Sequence, residues 1–290
     1  MTKTFVGFYP AKDISKFNEK DSIVLVGIPV EKTKTTPGGS RKAPKEIRKQ
    51  SLEFSGVSSE FDVSDCKTDF YDVGDIDSIK EKDKLLLLWE KILNNSNKLV
   101  VIGGDHSITY DMLNLAPWDD KTAVIWLDAH ADLNDEYPPN VFYSHGTVFA
   151  NLKKDNNLSA EQMLFIGGHA YTQTSVEHAK LKNKEVDFIP VHQLFFDKSK
   201  TLEKIQNFVD KFDRIYLSID LDSLDQAYVP TLATTEPFGL TPQLLMEVIK
   251  IILPKVIYVD IVEAKFTRKN RLVLNLAVGL IYNILQNWMN

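Results

Sequence analysis

Three short apolar stretches of this sequence each end in side chains of types that commonly serve as metal ligands. Residues 122–127 are rich in branched and aromatic side chains, as is typical of a parallel strand that is buried on both faces. Directly after them come Asp128, His130 and Asp132. If the backbone stays extended there, these three side chains point to one face, because side chains alternate along a strand. The sequence therefore predicts a buried strand with a polar site at its carboxyl end.

Two further strand-like segments end in the same way. Residues 99–102 run into a Gly-Gly turn that leads to His106. Residues 215–219 run into Asp220 and Asp222, two carboxylates that share a face. In open parallel sheets, ligands bind in the crevice beyond the carboxyl ends of the strands. We therefore expect the three strand ends to face one crevice.

Strand-like and helix-like segments alternate along the whole chain. The strand-like segments are residues 23–29, 70–75, 99–102, 122–127, 163–166, 186–191, 214–220 and 256–262. The helix-like segments are residues 80–94, 107–115, 201–212, 241–252 and 272–288, and one more begins near Ala43. This alternation predicts a single α/β domain over residues 1–290, a three-layer α/β/α sandwich with a mostly parallel sheet of about eight strands.

Composition narrows the class of protein. Hydrophobic residues make up 43% and charged residues 26% of the 290 residues, which is typical of a soluble globular protein. The 34 basic and 40 acidic residues give a net charge of −6 without a basic block, which argues against nucleic acid as a partner. Cys66 is the single cysteine, so an internal disulfide is excluded. Since we find no signal peptide and no apolar run of 18 residues, we predict a cytoplasmic protein without a membrane role.

Four aspartates that share one crevice need cations. Taken alone, one such motif is more often a hydrogen-bonded turn or a helix cap, but three motifs at strand ends favour a metal site. Close carboxylate pairs repel by about 4 kcal/mol at an effective dielectric constant near 20, and two divalent ions would neutralise four of them. Carboxylate oxygens with a minority of imidazole nitrogens favour Mn²⁺, although Zn²⁺, Fe²⁺, Co²⁺ and Ni²⁺ also fit. A pair of ions lowers the pKa of a bound water toward neutrality, which predicts a hydrolase.

Together these motifs resemble those of the ureohydrolases, the arginase and agmatinase family. The matching segments, in the family's order, are residues 103–107, 128–132 and 218–225, with a Gly-rich stretch before a Pro-x-x-Ile-Arg helix at residues 37–48. The resemblance covers nearly the whole chain and implies two Mn²⁺ ions per subunit, in a homo-oligomer that is a trimer or a hexamer. It implies one ion held by His106, Asp128, Asp132 and Asp220, and a second held by His130, Asp128, Asp220 and Asp222.

Further residues match the catalytic apparatus of that family. His145 matches a histidine that acts as a proton shuttle, and Glu263 matches the glutamate that pairs with the substrate guanidinium. Asp132 would also take part in proton transfer, and Asn134 matches a substrate-binding position. Without the resemblance, His145 would be interpreted as a surface-loop histidine and Glu263 as a solubilising charge at a strand end. The remaining histidines, His169, His178 and His192, are interpreted as structural or surface residues.

The loop between Asp132 and His145 indicates the substrate. It resembles archaeal-type agmatinases, whereas arginases carry three polar side chains that bind the amino-acid end of arginine, and Val141 and Tyr143 replace two of these here. Formiminoglutamases generally lack a histidine at the position of His145. The resemblance therefore implies hydrolysis of agmatine, a guanidino compound, to putrescine and urea. Guanidinobutyrate and arginine are alternative substrates, and a non-catalytic metal-binding homologue is the alternative class.

Several positions depart from the family pattern. They are Gln226, Ala233 within the loop 232–239, residues 264–267 and His169. They surround the expected substrate entrance and subunit contacts and include none of the expected metal ligands. The residues expected to carry out the chemistry therefore match the family, whereas the departures lie where the substrate is expected to enter.

Overall fold

The computed structural model describes residues 4–11, 14, 17–32, 38–265 and 271–289. Within these ranges the chain forms one sheet of nine strands, in which every neighbouring pair is parallel. The strands are β1 (Tyr9–Pro10), β2 (Ile23–Gly27), β3 (Phe70–Asp75), β4 (Lys98–Ile102), β5 (Thr122–Asp128), β6 (Met163–Gly167), β7 (Asp187–Pro190), β8 (Arg214–Asp220) and β9 (Val256–Val262). Their order across the sheet is β1-β3-β2-β4-β9-β8-β5-β6-β7.

Helices cover both faces of this sheet. They are α1 (Ala43–Ser51), α2 (Lys82–Asn94), α3 (Ser107–Leu113), α4 (Val148–Asp155), α5 (Ser175–Lys182), α6 (Val191–Phe196), α7 (Lys198–Val209), α8 (Pro242–Ile252) and α9 (Leu272–Met289). Successive side chains of β4 point into different hydrophobic layers, because side chains alternate along a strand. Val100 and Ile102 pack in the layer of α7, α8 and α9, whereas Leu99 and Val101 pack in the layer of α2, α3 and α4. The predicted three-layer α/β/α sandwich is confirmed.

The structure differs from the prediction in several elements. The sheet has one strand more than the eight predicted and is entirely parallel within the described residues. The additional strand β1 is two residues long, which is too short to show the period of a strand in the sequence. The sequence also did not predict α4, α5 and α6. The only buried residue of α5 is Glu177, so this helix has no apolar stripe. Pro37, Phe266 and Thr267, which the sequence comparison with the family used, lie outside the described residues.

Helix α9 is long and apolar enough to cross a membrane when only length and composition are considered, with a mean hydropathy of 1.3. From the sequence we expect no apolar run of this length, so the composition of α9 differs from that expectation. In the structure, however, ten residues of α9 are buried. The helix packs along α1 and α8, as the core helix of a soluble protein does. We therefore assign α9 to the hydrophobic core.

Four neighbouring strands at the centre of the sheet carry the predicted site residues at their carboxyl ends. These strands are β4, β9, β8 and β5, and the chain passes from β4 to β5 across the positions that β9 and β8 fill. Asp220 lies beside Val262 and Ile219 lies beside Leu127, so the strands end level with one another. Open parallel sheets bind ligands in the crevice at such a change of strand order. The fold therefore brings the predicted residues to one edge of the sheet.

Candidate metal centre and active site

A cavity of about 210 Å³ lies at the carboxyl ends of the central strands. All nine site residues predicted from the sequence line it. They are His106, Asp128, His130, Asp132, Asn134, His145, Asp220, Asp222 and Glu263. His106 and Glu263, which are 157 positions apart in the sequence, are thereby in direct contact. The predicted crevice exists, and its walls carry both imidazole and carboxylate groups.

The first group of ligand atoms surrounds His106. Its Nδ1 lies 3.0 Å from Asp128 Oδ2, 2.9 Å from Asp132 Oδ2 and 3.4 Å from Asp220 Oδ2. All four side chains are buried. Among the residues that the structure describes, neither His106 Nδ1 nor Asp128 Oδ2 has a hydrogen-bond partner, although the two atoms are close. Buried polar atoms without a partner are costly, so this group fits a cation placed between them.

A second group of ligand atoms shares Asp128 with the first. His130 Nδ1 lies 3.5 Å from Asp128 Oδ1 and 3.1 Å from Asp222 Oδ2. His106, Asp128 and Asp132 form one set of ligand atoms within 4.8 Å of one another, and Asp128, His130 and Asp222 form the other. Asp128 therefore stands between two sets, each of which offers carboxylate oxygens and one imidazole nitrogen. We call these sets the first and the second cluster.

The pKa values of the two clusters reflect their surplus of negative charge. Burial lowers the pKa of His106, but the carboxylates of Asp128 and Asp132 outweigh this effect and raise the pKa well above 6.5. Burial also lowers the pKa of His130, and Asp222 and Asp128 again raise it overall. Burial, together with the charge of Asp128, raises the pKa of Asp132 to about 7. The clusters therefore attract positive charge, either protons or metal ions.

Two site residues have a left-handed backbone conformation. The φ of Asp132 is 52° and the φ of Glu263 is 60°, which costs of order 1 kcal/mol or more for a residue other than glycine. The backbone N–H of Glu263 donates to Gly104 O at 2.9 Å and holds this turn. At Gly104, a Cβ atom would lie 1.8 Å from the carbonyl oxygen of Val30, so only glycine fits. The Gly-Gly turn thereby lets β2, β4 and β9 approach closely beside His106.

Glu263 and His145 lie beside the clusters. Glu263 Oε1 accepts a hydrogen bond from the backbone N–H of His106 at 2.8 Å, which fixes its carboxylate at the cavity wall. The ring of His145 packs edge-to-face on that of Tyr137, with 5.6 Å between the centroids. Burial, together with His106 and His130, lowers the pKa of His145 to about 4. Its imidazole is therefore neutral at pH 7 and able to accept a proton.

Asn134 lines the cavity but uses its amide within the protein. Its Nδ2 donates to Gly146 O at 3.1 Å, and its Oδ1 accepts from Thr174 Oγ1 at 2.5 Å. The backbone N–H of Asn134 donates to the same carbonyl of Gly146 at 3.2 Å. These bonds hold the turn that carries His145. Asn134 thus positions that turn, and a direct contact with substrate stays a prediction.

A buried hydroxyl and carboxylate behind His106 were missed by the sequence reasoning. His106 Nε2 lies 2.9 Å from Ser218 Oγ, and that hydroxyl donates to Asp260 Oδ1 at 2.6 Å. Thr109 and Tyr258 donate their hydroxyl hydrogens to Asp260 Oδ2. Asp260 is the single charged residue within β9, and a buried charge needs partners. That signal was available in the sequence.

A similar pair lies behind His130. His130 Nε2 lies 3.0 Å from Thr172 Oγ1, and that hydroxyl donates to Glu236 Oε1 at 2.8 Å. Glu236 belongs to the loop 232–239, which departs from the family pattern. Because 64 positions separate Thr172 from Glu236, no local pattern in the sequence marks either of them.

The other charged residues of the cavity wall are acidic. Glu31, Asp105 and Glu177 line the cavity in addition to the predicted site residues. Among the described residues that form this wall, none is lysine or arginine. A cavity with carboxylates on its walls attracts cations and repels anions. The geometry therefore favours a positively charged ligand.

The three remaining histidines lie outside the cavity wall. His169 is buried, and no described residue forms a hydrogen bond with either of its ring nitrogens. It packs against the loop at Gly239, where a Cβ atom would lie 2.8 Å from its Nε2. His178 and His192 are exposed. These positions agree with the structural and surface roles expected from the sequence.

Comparison with known proteins identifies the family. The model of the arginase family matches residues 21–286. Formimidoylglutamase from Bacillus subtilis (strain 168) is 29% identical over 257 residues, which cover 82% of this chain and 78% of that protein. Agmatinase from Photorhabdus laumondii is 26% identical over 257 residues, which cover 83% of this chain and 78% of that protein. The crystal structure of the Bacillus subtilis formimidoylglutamase superposes with a TM-score of 0.82 at 25% identity, and covers 93% of this chain and 87% of that one. The chain belongs to the arginase family.

Proposed function

We propose that the chain is a binuclear-metal hydrolase whose metal site consists of the two clusters that share Asp128. One ion would be held by His106, Asp128, Asp132 and Asp220, and the second by His130, Asp128, Asp220 and Asp222. The two sets of ligand atoms support this proposal. The buried atoms His106 Nδ1 and Asp128 Oδ2 also support it, because they have no hydrogen-bond partner in the described part of the chain. The donor set is mostly carboxylate oxygen with two imidazole nitrogens, which favours two Mn²⁺ ions per subunit.

Membership of the arginase family supports hydrolysis of a carbon–nitrogen bond in a guanidino or amidino group. When bound, a pair of divalent ions supplies a nucleophilic water at neutral pH. The chain's own residues then hold the substrate and move protons. His145 is neutral at pH 7 because its pKa is about 4, so a ring nitrogen can take up a proton and pass it to the leaving amine. Asp132 can hold a proton at its carboxylate within the first cluster.

Glu263 is the proposed partner of the guanidinium group. A guanidinium is planar, permanently charged and offers paired N–H donors, which a carboxylate binds by charge-assisted hydrogen bonds. The bond from the backbone N–H of His106 holds Glu263 Oε1, so the orientation of this carboxylate is fixed beside the first cluster. Such a fixed carboxylate would hold the guanidinium carbon next to the metal site.

Agmatine is the substrate that the cavity supports best. Agmatine carries a guanidinium and an amine, so it is positively charged at both ends and has no carboxylate. The described wall of the cavity adds the carboxylates of Glu31, Asp105 and Glu177 and contains neither lysine nor arginine. This acidic wall is the observation that carries the choice of agmatine over guanidinobutyrate and arginine, because each of these has a carboxylate.

The similarity to formimidoylglutamase supports a second candidate substrate, N-formimidoylglutamate. Its amidino group would lie at the same two clusters. Its two carboxylates, however, would lie along a wall that includes Glu31 and Glu177 and would be repelled there. The charges on the wall therefore rank agmatine above N-formimidoylglutamate.

A panel of substrates tests this proposal. Protein loaded with Mn²⁺ is given agmatine, arginine, 4-guanidinobutyrate and N-formimidoylglutamate, and urea or formamide is measured as the product. We expect kcat/KM for agmatine to exceed the other values by roughly tenfold or more, since about 1.4 kcal/mol of charge repulsion gives that factor. Formamide as the main product would reassign the substrate. Absence of turnover with two ions bound would favour the non-catalytic metal-binding homologue.

The homo-oligomeric state and the cytoplasmic location stay predictions.

A further inference from the structure

A hydroxyl and a carboxylate support His130 from outside the second cluster. Thr172 Oγ1 lies 3.0 Å from His130 Nε2 and donates its hydrogen to Glu236 Oε1 at 2.8 Å. A hydroxyl group has a single proton, and here that proton is directed at Glu236. Thr172 Oγ1 can therefore only accept a hydrogen bond from His130. It follows that Nε2 of His130 carries a hydrogen.

This arrangement selects the nitrogen of His130 that faces the second cluster. Nδ1 lies 3.1 Å from Asp222 Oδ2 and 3.5 Å from Asp128 Oδ1. A metal ion binds an imidazole only through a nitrogen that has released its proton. With Nε2 held as the donor toward Thr172, Nδ1 becomes the ligand atom. The negative charge of Glu236, which is buried, also makes the imidazole a stronger electron donor.

The loop 226–239 contacts the second cluster at two points. Glu236 reaches it through Thr172, and Thr234 Oγ1 donates to Asp222 Oδ2 at 3.1 Å. The carboxylate of Asp225 accepts hydrogen bonds from the backbone N–H groups of Ala227 and Phe238. These two residues lie near the two ends of the loop, so the bonds close it. The departures at Gln226 and residues 232–239 therefore lie in a segment that supports His130 and Asp222.

We propose that Glu236 is a positioning residue that acts through Thr172 on His130 and thereby raises the affinity of the second cluster for its ion. This inference depends on the proposed binuclear metal site. The first cluster has its own support, because His106 Nε2 contacts Ser218 and not Thr172. A change at Thr172 or Glu236 should therefore act on one of the two ions.

The experiment is a titration of the metal-free 290-residue chain with Mn²⁺ by equilibrium dialysis, and the data are fitted with two dissociation constants. Thr172→Val replaces the hydroxyl by a methyl group of similar size. We expect it to raise one dissociation constant about 10- to 100-fold and to leave the other within about threefold. Glu236→Gln should raise the same constant. Thr172→Ser retains the hydroxyl and should bind both ions as the wild type does.

Thr231→Val is the matched control. It makes the same chemical change as Thr172→Val, but in the loop 226–239, which carries Glu236. Thr231 Oγ1 is buried and has no hydrogen-bond partner among the residues that the structure describes, so both constants should stay unchanged. Melting temperatures of the metal-free variants report whether each one folds.

Wild-type constants in Thr172→Val would overturn the inference. So would equal weakening of both ions, or a Thr172→Ser variant as weak as Thr172→Val, since packing and not the hydroxyl would then matter. If Thr172→Val fails to fold, the constants of Glu236→Gln and Thr172→Ser decide. A wild-type protein that binds no Mn²⁺ would instead overturn the proposed function itself.

Discussion

Replacing Glu263 with glutamine separates binding of the guanidinium from binding of the metal ions. Glutamine keeps the shape of the glutamate side chain and retains one oxygen. That oxygen can accept the hydrogen bond from the backbone N–H of His106, which is 2.8 Å long in the wild type. The other carboxylate oxygen becomes an amide nitrogen, which donates hydrogen bonds where the substrate also donates. A pair of unit charges about 4 Å apart interacts by about 4 kcal/mol at an effective dielectric constant near 20, and a hydrogen bond to a charged group contributes about 1.5–3 kcal/mol. We therefore expect kcat/KM for agmatine to fall roughly 30- to 1000-fold, which corresponds to a loss of about 2–4 kcal/mol of transition-state stabilisation.

The assay is the initial rate of urea release at subsaturating agmatine, with the metal content measured in the same samples. Metal content should equal that of the wild type, because Glu263 belongs to neither cluster of ligand atoms. Glu263→Asp keeps the charge and tolerates the positive φ of this position, so it should lose less activity than Glu263→Gln. Near-full activity of Glu263→Gln would refute the proposed role, and stoichiometric loss of metal would place Glu263 among the metal ligands. Either result would reopen the substrate class.

Three further predictions follow from the same geometry. His145→Asn should lower kcat for agmatine by about 10- to 10⁴-fold if proton transfer limits the rate, and an unchanged kcat in steady-state kinetics would refute the role of His145 in proton transfer. Because the ions bind the folded state, Mn²⁺ at about 100 times its Kd should raise the free energy of unfolding by about 2.7 kcal/mol, and equal melting temperatures with and without Mn²⁺ would contradict the clusters. His106 and His130 have pKa values raised above 6.5 in the fold, so their contribution to the stability of the metal-free protein is full below pH 6.5 and is lost as pH rises toward those folded values. His145, with a folded pKa of about 4, opposes this trend as long as the unfolded imidazole still binds a proton, and it is deprotonated in both states only above about pH 7.5. Urea denaturation from about pH 7.5 to about pH 9 should therefore show stability falling by up to about 1.4 kcal/mol per pH unit for each additional proton bound, and stability that rises over this range would contradict the assignment.

The predicted metal ligands could be located from the sequence because parallel strands all run in one direction. Once 99–102, 122–127 and 215–219 are interpreted as buried parallel strands, their carboxyl ends must lie at one edge of the sheet. The structure places β4, β9, β8 and β5 side by side and so puts His106, Asp128 and Asp220 in one cavity. The alternation of strands and helices likewise predicts the three layers, because each apolar strand must be covered on both faces.

Other features depend on contacts that local patterns do not encode. Strand β1 is only two residues long, and helix α5 buries only Glu177, so neither shows an apolar period. The support of His130 joins Thr172 to Glu236 across 64 positions and becomes visible only when the loop 226–239 is folded over the second cluster. The acidic wall at Glu31 and Glu177 likewise requires the three-dimensional structure, because isolated glutamates are common on protein surfaces.

The number of Mn²⁺ ions per chain tests the shared metal site most directly. Metal-free wild-type protein and an Asp128→Asn variant are dialysed against Mn²⁺ at about pH 8, and the bound metal is measured. An unperturbed histidine is mostly neutral at this pH, and the ions must displace the protons that the raised pKa values leave on His106 and His130. Because Asp128 belongs to both clusters, we predict two ions per chain in the wild type and fewer than two in the variant. One ion or none in the wild type, or two tightly bound ions in Asp128→Asn, would contradict a binuclear site built around Asp128.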